Sequence, residues 1–239
     1  MVNDLTIQTI EQRFENITEP AWYPEKDRYG GSLWIVRSPR MKRKCHFQYE
    51  LEHDHWLLVE FNPAIVWFCE HPLKVSMPVE GVDVGTIFDM LLKWRDGSWT
   101  LREIKQEKTI DPNHISDDVR RQLAAQEAWC ALYQVHYERL TEVQIRKNPL
   151  YLENLKQMIP YLRNPSCPGI DQYLPVVKKM LKAAGEVTIS ELEGATTFEF
   201  RASLLRTIIR MLWRGELQAP LEEQEFNRDL LISFNREQT

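Results

Sequence analysis

A predicted β-hairpin over residues 85–108 is the feature that most constrains how this chain can fold. Two runs rich in β-branched, aromatic and apolar residues, 86–94 and 99–105, flank the turn dipeptide Asp96-Gly97. Such runs on either side of an Asp-Gly pair are a strong short-range signal for two antiparallel strands. The chain is therefore expected to contain a sheet that includes these two strands.

The second strand of this hairpin carries an acid and a base, Glu103 and Lys105, on either side of Ile104. Residues two apart on a strand share a face, so Glu103 and Lys105 should project together while Ile104 points into a core. A two-residue loop would place Asp89 on the opposite face, whereas a three-residue loop over 96–98 would pair Asp89 with Lys105. We expect the three-residue loop, because it brings two carboxylates and an ammonium together.

A third carboxylate is expected at the same place. A predicted helix over residues 48–60 has one buried stripe, and Glu52 lies at the edge of that stripe. A buried acid is costly unless it is paired or binds a cation. Carboxylates without a His/Cys cluster favour a hard cation, so Asp89, Glu103 and Glu52 are predicted to bind Mg²⁺, with Mn²⁺ as a substitute. Such a metal with Lys105 nearby is the chemistry of phosphodiester hydrolysis.

A long helix is expected to begin after Ser116, a residue type favoured at helix N-caps. Small and apolar residues fall within one arc of this helix, which suits it to lie on a sheet. This predicted sheet-facing arc consists of Ala124, Ala128, Ala131, Leu132 and Val135.

The last third of the chain has a different pattern from the rest. A proline-rich tract predicts a linker, placed at residues 151–170, between a first domain at 1–150 and a second at 171–239. In the second domain a predicted helix over 200–212 ends near Gly215 and is followed by two short strands. This order is typical of a winged-helix module.

The charge of the chain limits how it can contact nucleic acid. Its 30 Lys and Arg residues against 35 Asp and Glu residues give a net charge of −5, so any DNA contact must be local or shared with a partner. A basic cluster offers one such contact; it consists of Arg40, Lys42, Arg43 and Lys44. These side chains are predicted to follow the DNA backbone, although a solvated basic loop is the alternative. With no long apolar run and no signal-peptide pattern, a cytoplasmic location is expected.

The order and spacing of Glu52, Asp89 and Glu103-Ile104-Lys105 resemble those of restriction-endonuclease-like nucleases, and specifically of the TnsA endonuclease subunit of heteromeric cut-and-paste transposases. Shorter segments are also similar to landmarks of that family: His46 six residues before Glu52, Glu70-His71-Pro72-Leu73, and Thr141 to Leu155. The resemblance covers roughly residues 20–235. It implies that Glu52, Asp89, Glu103 and Lys105 form the active site.

The same resemblance implies an α/β fold in which a restriction-endonuclease-like mixed sheet flanked by helices precedes a mainly helical, winged-helix-like domain. The implied function is Mg-dependent DNA cleavage at the 5′ ends of a transposon during excision. A DDE-type (TnsB-like) transposase would process the 3′ ends, and an AAA+ ATPase regulator (TnsC-like) would bind the C-terminal domain. Two alternatives stay open: a stand-alone restriction- or repair-type nuclease, and a non-catalytic winged-helix adaptor for an ATPase or DNA.

Overall fold

The computed structural model describes residues 4–25, 32–162, 173–195 and 201–235, with the backbone alone for residues 4–9. The chain divides into two units that are not continuous in sequence. The first unit comprises Met1–Trp56 and Ala64–Lys147, and the second comprises Leu57–Pro63 and Asn148–Thr239.

The first unit is built from strands and helices in an alternating order. Its strands are β1 Trp34–Arg37, β2 Lys44–Phe47, β3 Ile65–Glu70, β4 Lys74–Val79, β5 Val82–Ile87, β6 Met90–Trp94, β7 Trp99–Ile104 and β8 His136–Leu140. Its helices are α1 Asp4–Glu15, α2 Glu50–Phe61, α3 Glu107–Ile110, α4 Asp117–Tyr133 and α5 Glu142–Ile145, although residues 57–61 of α2 belong to the second unit. None of the described helices of the chain has the length and apolar character that crossing a membrane requires.

A four-stranded sheet with the order β3-β6-β7-β8 forms the centre of this unit. Strand β6 is antiparallel to both β3 and β7, whereas β8 runs parallel to β7. The pairs β1-β2 and β4-β5 form separate antiparallel ribbons. The predicted α/β class with a mixed sheet flanked by helices is confirmed at this level.

Helices α2 and α4 cover opposite faces of the central sheet. Adjacent residues of a strand point to opposite faces, and the neighbours Arg102 and Glu103 on β7 contact different helices. The Arg102 guanidinium lies 3.2 Å from Nε2 of His55 on α2. Glu103 Oε2 instead accepts a hydrogen bond of 2.7 Å from Gln126 on α4.

The apolar core of the first unit includes side chains from α1, α4 and the central strands. Leu91 and Leu101 are cross-strand partners on β6 and β7, and both are fully buried. Burying a side chain of this size stabilises the fold by about 1.5–3 kcal/mol relative to leaving it exposed. The buried residues of this cluster are Ile10, Phe14, Leu73, Val75, Phe88, Leu91, Leu101, Trp129 and Cys130.

The predicted hairpin is present, but the predicted loop over 96–98 is wrong: the amide of Trp94 donates to the carbonyl of Ser98 at 2.9 Å, so the three-residue loop is 95–97. The pairing of Lys93 with Trp99 is offset by two residues from the predicted pairing. As a consequence the amide of Asp89 donates to the carbonyl of Arg102 at 3.1 Å, so Asp89 is not paired with Lys105. An offset of two conserves the face on which each side chain lies, and the expected grouping of side chains is therefore kept.

Helix α4 begins where the sequence predicts but buries a different face. The Ser116 hydroxyl accepts a hydrogen bond of 3.3 Å from the amide of Val119, which confirms the N-cap. The predicted sheet-facing arc is wrong, because Ala128 and Ala131 are exposed. The buried side chains are Leu123, Ala125, Gln126, Trp129 and Cys130. Turning the large Trp129 side chain inward removes more apolar area from water than a face of alanines could.

The second unit contains a three-stranded antiparallel sheet and several helices. Its elements are α6 Pro149–Leu162, α7 Leu174–Ala184, β9 Glu186–Thr188, α8 Ile189–Gly194, α9 Arg201–Trp213, β10 Leu217–Gln218 and β11 Leu231–Phe234. The strand order is β10-β11-β9. Its core consists of Tyr173, Val177, Leu181, Val187, Ile189, Leu192, Leu204, Ile208, Met211, Leu217, Leu230 and Ile232.

The predicted linker at 151–170 differs from the structure in its first part. Residues 151–162 lie within α6, whose buried face includes Leu155 and Met158. The side-chain amide of the buried Asn154 donates to two backbone carbonyls of the same unit at 2.8 Å each. The helical spacing of apolar residues outweighs the helix-breaking tendency of Pro160, which lies in the last turn. Residues 163–170 of the prediction lie outside the described residues.

Candidate active site

A cavity of about 700 Å³ lies in the first unit next to the break between β5 and β6. Its wall includes Glu52 on α2, His71 after β3, Asp89 at the break, and Lys105 after β7. Three of the four predicted catalytic side chains therefore line one cavity. The fourth, Glu103, is fully buried beside it.

Glu52 lies in the first turn of α2 and is only 8% exposed. Its Oε2 accepts a hydrogen bond of 3.1 Å from the amide of Gln48. An acid at this end of a helix is also favoured by the helix dipole. The helix start therefore supplies both the position and part of the stabilisation of this carboxylate.

Asp89 interrupts the strand that the sequence predicts over 86–94. Its carbonyl accepts a hydrogen bond of 2.9 Å from the amide of His71, and its Oδ2 accepts one of 2.6 Å from the amide of Ile104. These bonds fix both its backbone and one carboxylate oxygen. The side chain is half-buried in the cavity wall. This desolvation, with the negative charges of Glu103 and Glu52, raises the pKa of Asp89 well above its usual value.

Glu103 and Lys105 form an ion pair, with Nζ 2.6 Å from Oε1. The prediction that these side chains project together is thus confirmed. Burial raises the pKa of Glu103, although the adjacent ammonium of Lys105 opposes this effect. Burial also opposes the charged form of Lys105, but the carboxylates of Glu103 and Asp89 outweigh it and raise the lysine pKa. Lys105 is therefore a cation at neutral pH.

A glutamine network on α4 holds Glu103 in place, and sequence reasoning did not identify it. Gln126 Nε2 donates to Glu103 Oε2 at 2.7 Å, and Gln122 Nε2 donates to Oε1 at 3.1 Å. The hydroxyl of Tyr137 donates in turn to Gln126 Oε1 at 2.9 Å. A polar residue in the buried stripe of an otherwise amphipathic helix is the sequence signal that could have indicated Gln126.

Three side chains in the cavity could hold a metal ion. Glu52, His71 and Asp89 each offer one ligand atom, and these atoms lie within 4.8 Å of one another. Two of the predicted ligands belong to this group, whereas the third, Glu103, is bonded to Lys105 and the α4 glutamines. Two carboxylates and an imidazole in a partly buried cavity suit a divalent cation, which would offset the repulsion between the acids.

The sequence pattern includes His71 in the segment Glu70-His71-Pro72-Leu73 but does not predict it as a metal ligand. His71 follows the last residue of β3 and has a left-handed backbone with φ of 45°. Its side chain is 4% exposed, and its ring contacts the edge of Trp22 with 4.8 Å between centroids. A histidine next to a proline after a strand is a weak signal. Its position beside Asp89 depends on contacts between distant segments.

The predicted DNA-binding cluster divides into two kinds of side chain. Arg43 donates two hydrogen bonds to the buried carboxylate of Glu70, at 2.6 Å and 2.7 Å. Arg40 donates from NH1 to a backbone carbonyl of β3. Lys42 and Lys44 are exposed. The two arginines thus make contacts within the protein, while the two lysines are accessible to a ligand.

No protein-family model matches this chain, and a search of curated proteins finds no match either. The interpretation of the cavity therefore depends on its own geometry and on the pattern of its residues.

Proposed function

We propose that this chain is a metal-dependent DNA endonuclease, a TnsA-like transposase subunit that cleaves the 5′ ends of a transposon during excision. The observation that carries the proposal is the grouping of Glu52, Asp89 and Lys105 around one cavity, with Glu103 paired to Lys105 at 2.6 Å. Metal-dependent hydrolysis of a phosphodiester uses carboxylates to hold the metal, and a cation near the phosphate stabilises the charge that develops there. We take the first unit to be the restriction-endonuclease-like part of the molecule.

Glu52 and Asp89 are the proposed metal ligands, with Mg²⁺ as the expected ion and Mn²⁺ as a substitute. When bound, such an ion polarises the phosphodiester and lowers the pKa of a water molecule. The carboxylates provide the hard oxygen ligands that this role needs. The hydrogen bonds from the amides of Gln48 and Ile104 hold them in position.

Lys105 is proposed to stabilise negative charge on the phosphate. Although burial opposes its charged form, the carboxylates of Glu103 and Asp89 raise its pKa, so the ammonium would act as a positive charge beside the phosphate. Glu103 orients the ammonium through their ion pair. The α4 glutamines orient Glu103 in turn.

The second unit is proposed to be winged-helix-like. Its order of elements, α7-β9-α8-α9-β10-β11 with a three-stranded antiparallel sheet, supports this assignment. We propose that this unit binds an AAA+ ATPase regulator (TnsC-like), and that a DDE-type (TnsB-like) transposase processes the 3′ ends. The exposed Lys42 and Lys44 are the proposed contacts to the DNA backbone.

The test is a reconstituted excision reaction. The purified chain is mixed with Mg²⁺, a DNA carrying both transposon ends, and the DDE transposase and AAA+ ATPase that the proposal requires as partners. We expect Asp89→Ala and Lys105→Ala to reduce 5′-end cleavage by at least about 100-fold, since each removes a charge acting on the reacting phosphate. Lys93→Ala is the matched control, because Lys93 on β6 pairs with Glu15 and does not line the cavity.

The outcomes separate the alternatives. Undiminished cleavage by either site variant would contradict the assignment. Sequence-specific cutting by the chain alone would favour a stand-alone restriction- or repair-type nuclease. Absence of both cleavage and metal binding, with intact binding to the ATPase or DNA, would favour a non-catalytic adaptor.

A further inference from the structure

We propose that His71 is a third metal ligand and that it makes this site bind Mn²⁺ in preference to Mg²⁺. The inference deepens the proposed function, since it concerns the ion taken by the same site, but metal binding can be measured without DNA cleavage. Three features carry it: a buried ring nitrogen of His71 without a partner, the spacing of the ligand atoms, and the backbone that holds His71.

The first feature is a buried imidazole without a hydrogen-bond partner. The side chain is 4% exposed, and its Nδ1 has no partner among the described residues. Its Nε2 lies 3.7 Å from Glu52 Oε2, which is beyond hydrogen-bond distance. A buried polar group that makes no hydrogen bond destabilises the fold unless another ligand satisfies it. Coordination through Nδ1 would satisfy this atom, and coordination through Nε2 would replace the contact with Glu52.

The second feature is the spacing of the ligand atoms. The atoms offered by Glu52, His71 and Asp89 lie within 4.8 Å of one another. With metal–ligand bonds of about 2.1 Å, ligands of an octahedral ion are about 3.0 Å apart when adjacent and about 4.2 Å apart when opposite. The 3.7 Å between His71 Nε2 and Glu52 Oε2 falls between these values. Small side-chain movements are therefore enough to form the coordination shell.

The third feature is the backbone that holds His71. Its amide donates to the carbonyl of Asp89 at 2.9 Å, and its carbonyl accepts from the amide of Ala21 at 2.8 Å. These hydrogen bonds hold the backbone of His71 at a left-handed φ of 45°, which is unfavourable for a residue with a side chain. The imidazole is thus attached directly to the segment that carries one of the carboxylates.

The choice of metal follows from the ligand types. Mg²⁺ prefers oxygen ligands in a strict octahedron and gives up water reluctantly. Transition-metal ions accept imidazole nitrogen more readily, and Mn²⁺ also keeps an affinity for carboxylates. A site with two carboxylates and one imidazole therefore favours Mn²⁺ over Mg²⁺ more strongly than a site with carboxylates alone.

The test measures metal binding to the full chain in the absence of DNA. Binding of Mn²⁺ is followed by electron paramagnetic resonance, and Mg²⁺ binding by competition against Mn²⁺. We expect the native chain to bind Mn²⁺ at least about 10-fold more tightly than Mg²⁺. His71→Gln should weaken Mn²⁺ binding by about 10-fold or more and change Mg²⁺ binding by less than about 3-fold. His114→Gln is the matched control, because His114 is an exposed histidine outside the cluster.

A second measurement uses the native chain, so its result does not depend on whether His71→Gln folds. The electron spin-echo signal of Mn²⁺ bound to the native chain should show coupling to an imidazole nitrogen, and His114→Gln should retain it. Lack of that coupling, or Mn²⁺ binding by a folded His71→Gln protein equal to that of the native chain, would overturn the inference. If Asp89→Ala then still abolishes metal binding, the proposed function stands without His71. If the native chain binds neither ion, the metal basis of both proposals fails.

Discussion

At the scale of single residues, the acidic side chains of the cavity serve the proposed function but lower the stability of the fold. Asp89 lies near Glu52 and Glu103, and desolvation with these negative charges raises its pKa. The folded chain therefore retains the Asp89 proton to a higher pH than the unfolded chain does. Between the pKa values of Asp89 in the unfolded and folded states, the unfolded chain binds fewer protons than the folded chain. The free energy of unfolding therefore falls as the pH rises through this range.

We expect Asp89→Asn to stabilise the metal-free protein at neutral and higher pH. The amide oxygen can still accept the hydrogen bond from Ile104, while the repulsion disappears. A gain of about 1 kcal/mol would raise the melting temperature by about 2–4 °C for a chain of this length. Thermal unfolding with a chelator at pH 8 and pH 5 measures the effect, which should be smaller at pH 5. Asp83→Asn, at an exposed acid on β5, should show no such pH-dependent gain; an equal gain there would refute the explanation.

Individual site residues differ in how far the sequence can predict them. The alternation of side chains along a strand is sufficient to predict that Glu103 and Lys105 lie on one face, because they are two residues apart. Glu52 follows from the amphipathic pattern of α2. His71 and Gln126 could not be derived in this way, since each is brought to the site by a tertiary contact with Asp89 or Glu103.

At the scale of elements, the hairpin turn sets the register that aligns the site. Gly97 in the β6–β7 turn has φ of 90°, a conformation that side chains disfavour. A Cβ there would meet no atom within 4 Å, so any penalty comes from the backbone. Substitution of Gly97 therefore tests how much the backbone conformation of the turn contributes to stability.

We expect Gly97→Ala to lower the free energy of unfolding by about 1–2 kcal/mol, the usual penalty of a left-handed residue. Gly97→Asn should lower it less, because asparagine tolerates this region. Gly85→Ala is the control: φ is not positive there, and its Cβ would make an ordinary 3.7 Å contact with Lys74. Its effect should stay within about 0.5 kcal/mol in denaturant unfolding. A Gly97→Ala protein as stable as the native chain would show that the positive φ at residue 97 does not disfavour a side chain there.

Local patterns predict most elements, but they fail where packing decides the outcome. The helix predicted over 48–60 is observed as Glu50–Phe61, and the hairpin and the Ser116 cap are present. The predicted sheet-facing arc of α4 is wrong. Small residues can pack against a sheet, but burial of the large Trp129 side chain removes more apolar area from water. The prolines of α6 favour a linker, but Pro149 is the first residue of the helix, where proline is tolerated, and Pro160 lies in its last turn.

At the scale of the whole molecule, the division into units does not follow the sequence. Residues 57–63 belong to the second unit although the first unit flanks them on both sides in the chain. Domain boundaries inferred from linkers divide the chain into continuous segments. They therefore cannot detect a unit that is built from two separate segments. The contact responsible is visible at Trp213 of α9, whose Nε1 donates to the carbonyl of Glu60 at 2.8 Å and to its Oε1 at 3.2 Å.

This contact predicts a specific effect of Trp213→Phe on residues 57–61. Loss of the indole donor removes bonds to a buried carboxylate and a carbonyl, which should cost about 1–2 kcal/mol locally. Amide hydrogen exchange of 57–61 should then accelerate by about 5- to 30-fold. Trp94→Phe is the control, since Trp94 Nε1 donates to Thr100 within the β6–β7 hairpin at 2.8 Å. It should accelerate exchange in the hairpin and leave 57–61 unchanged. If exchange at 57–61 is the same in Trp213→Phe and the native chain, this segment does not depend on α9, and the assignment of residues 57–63 to the second unit is wrong.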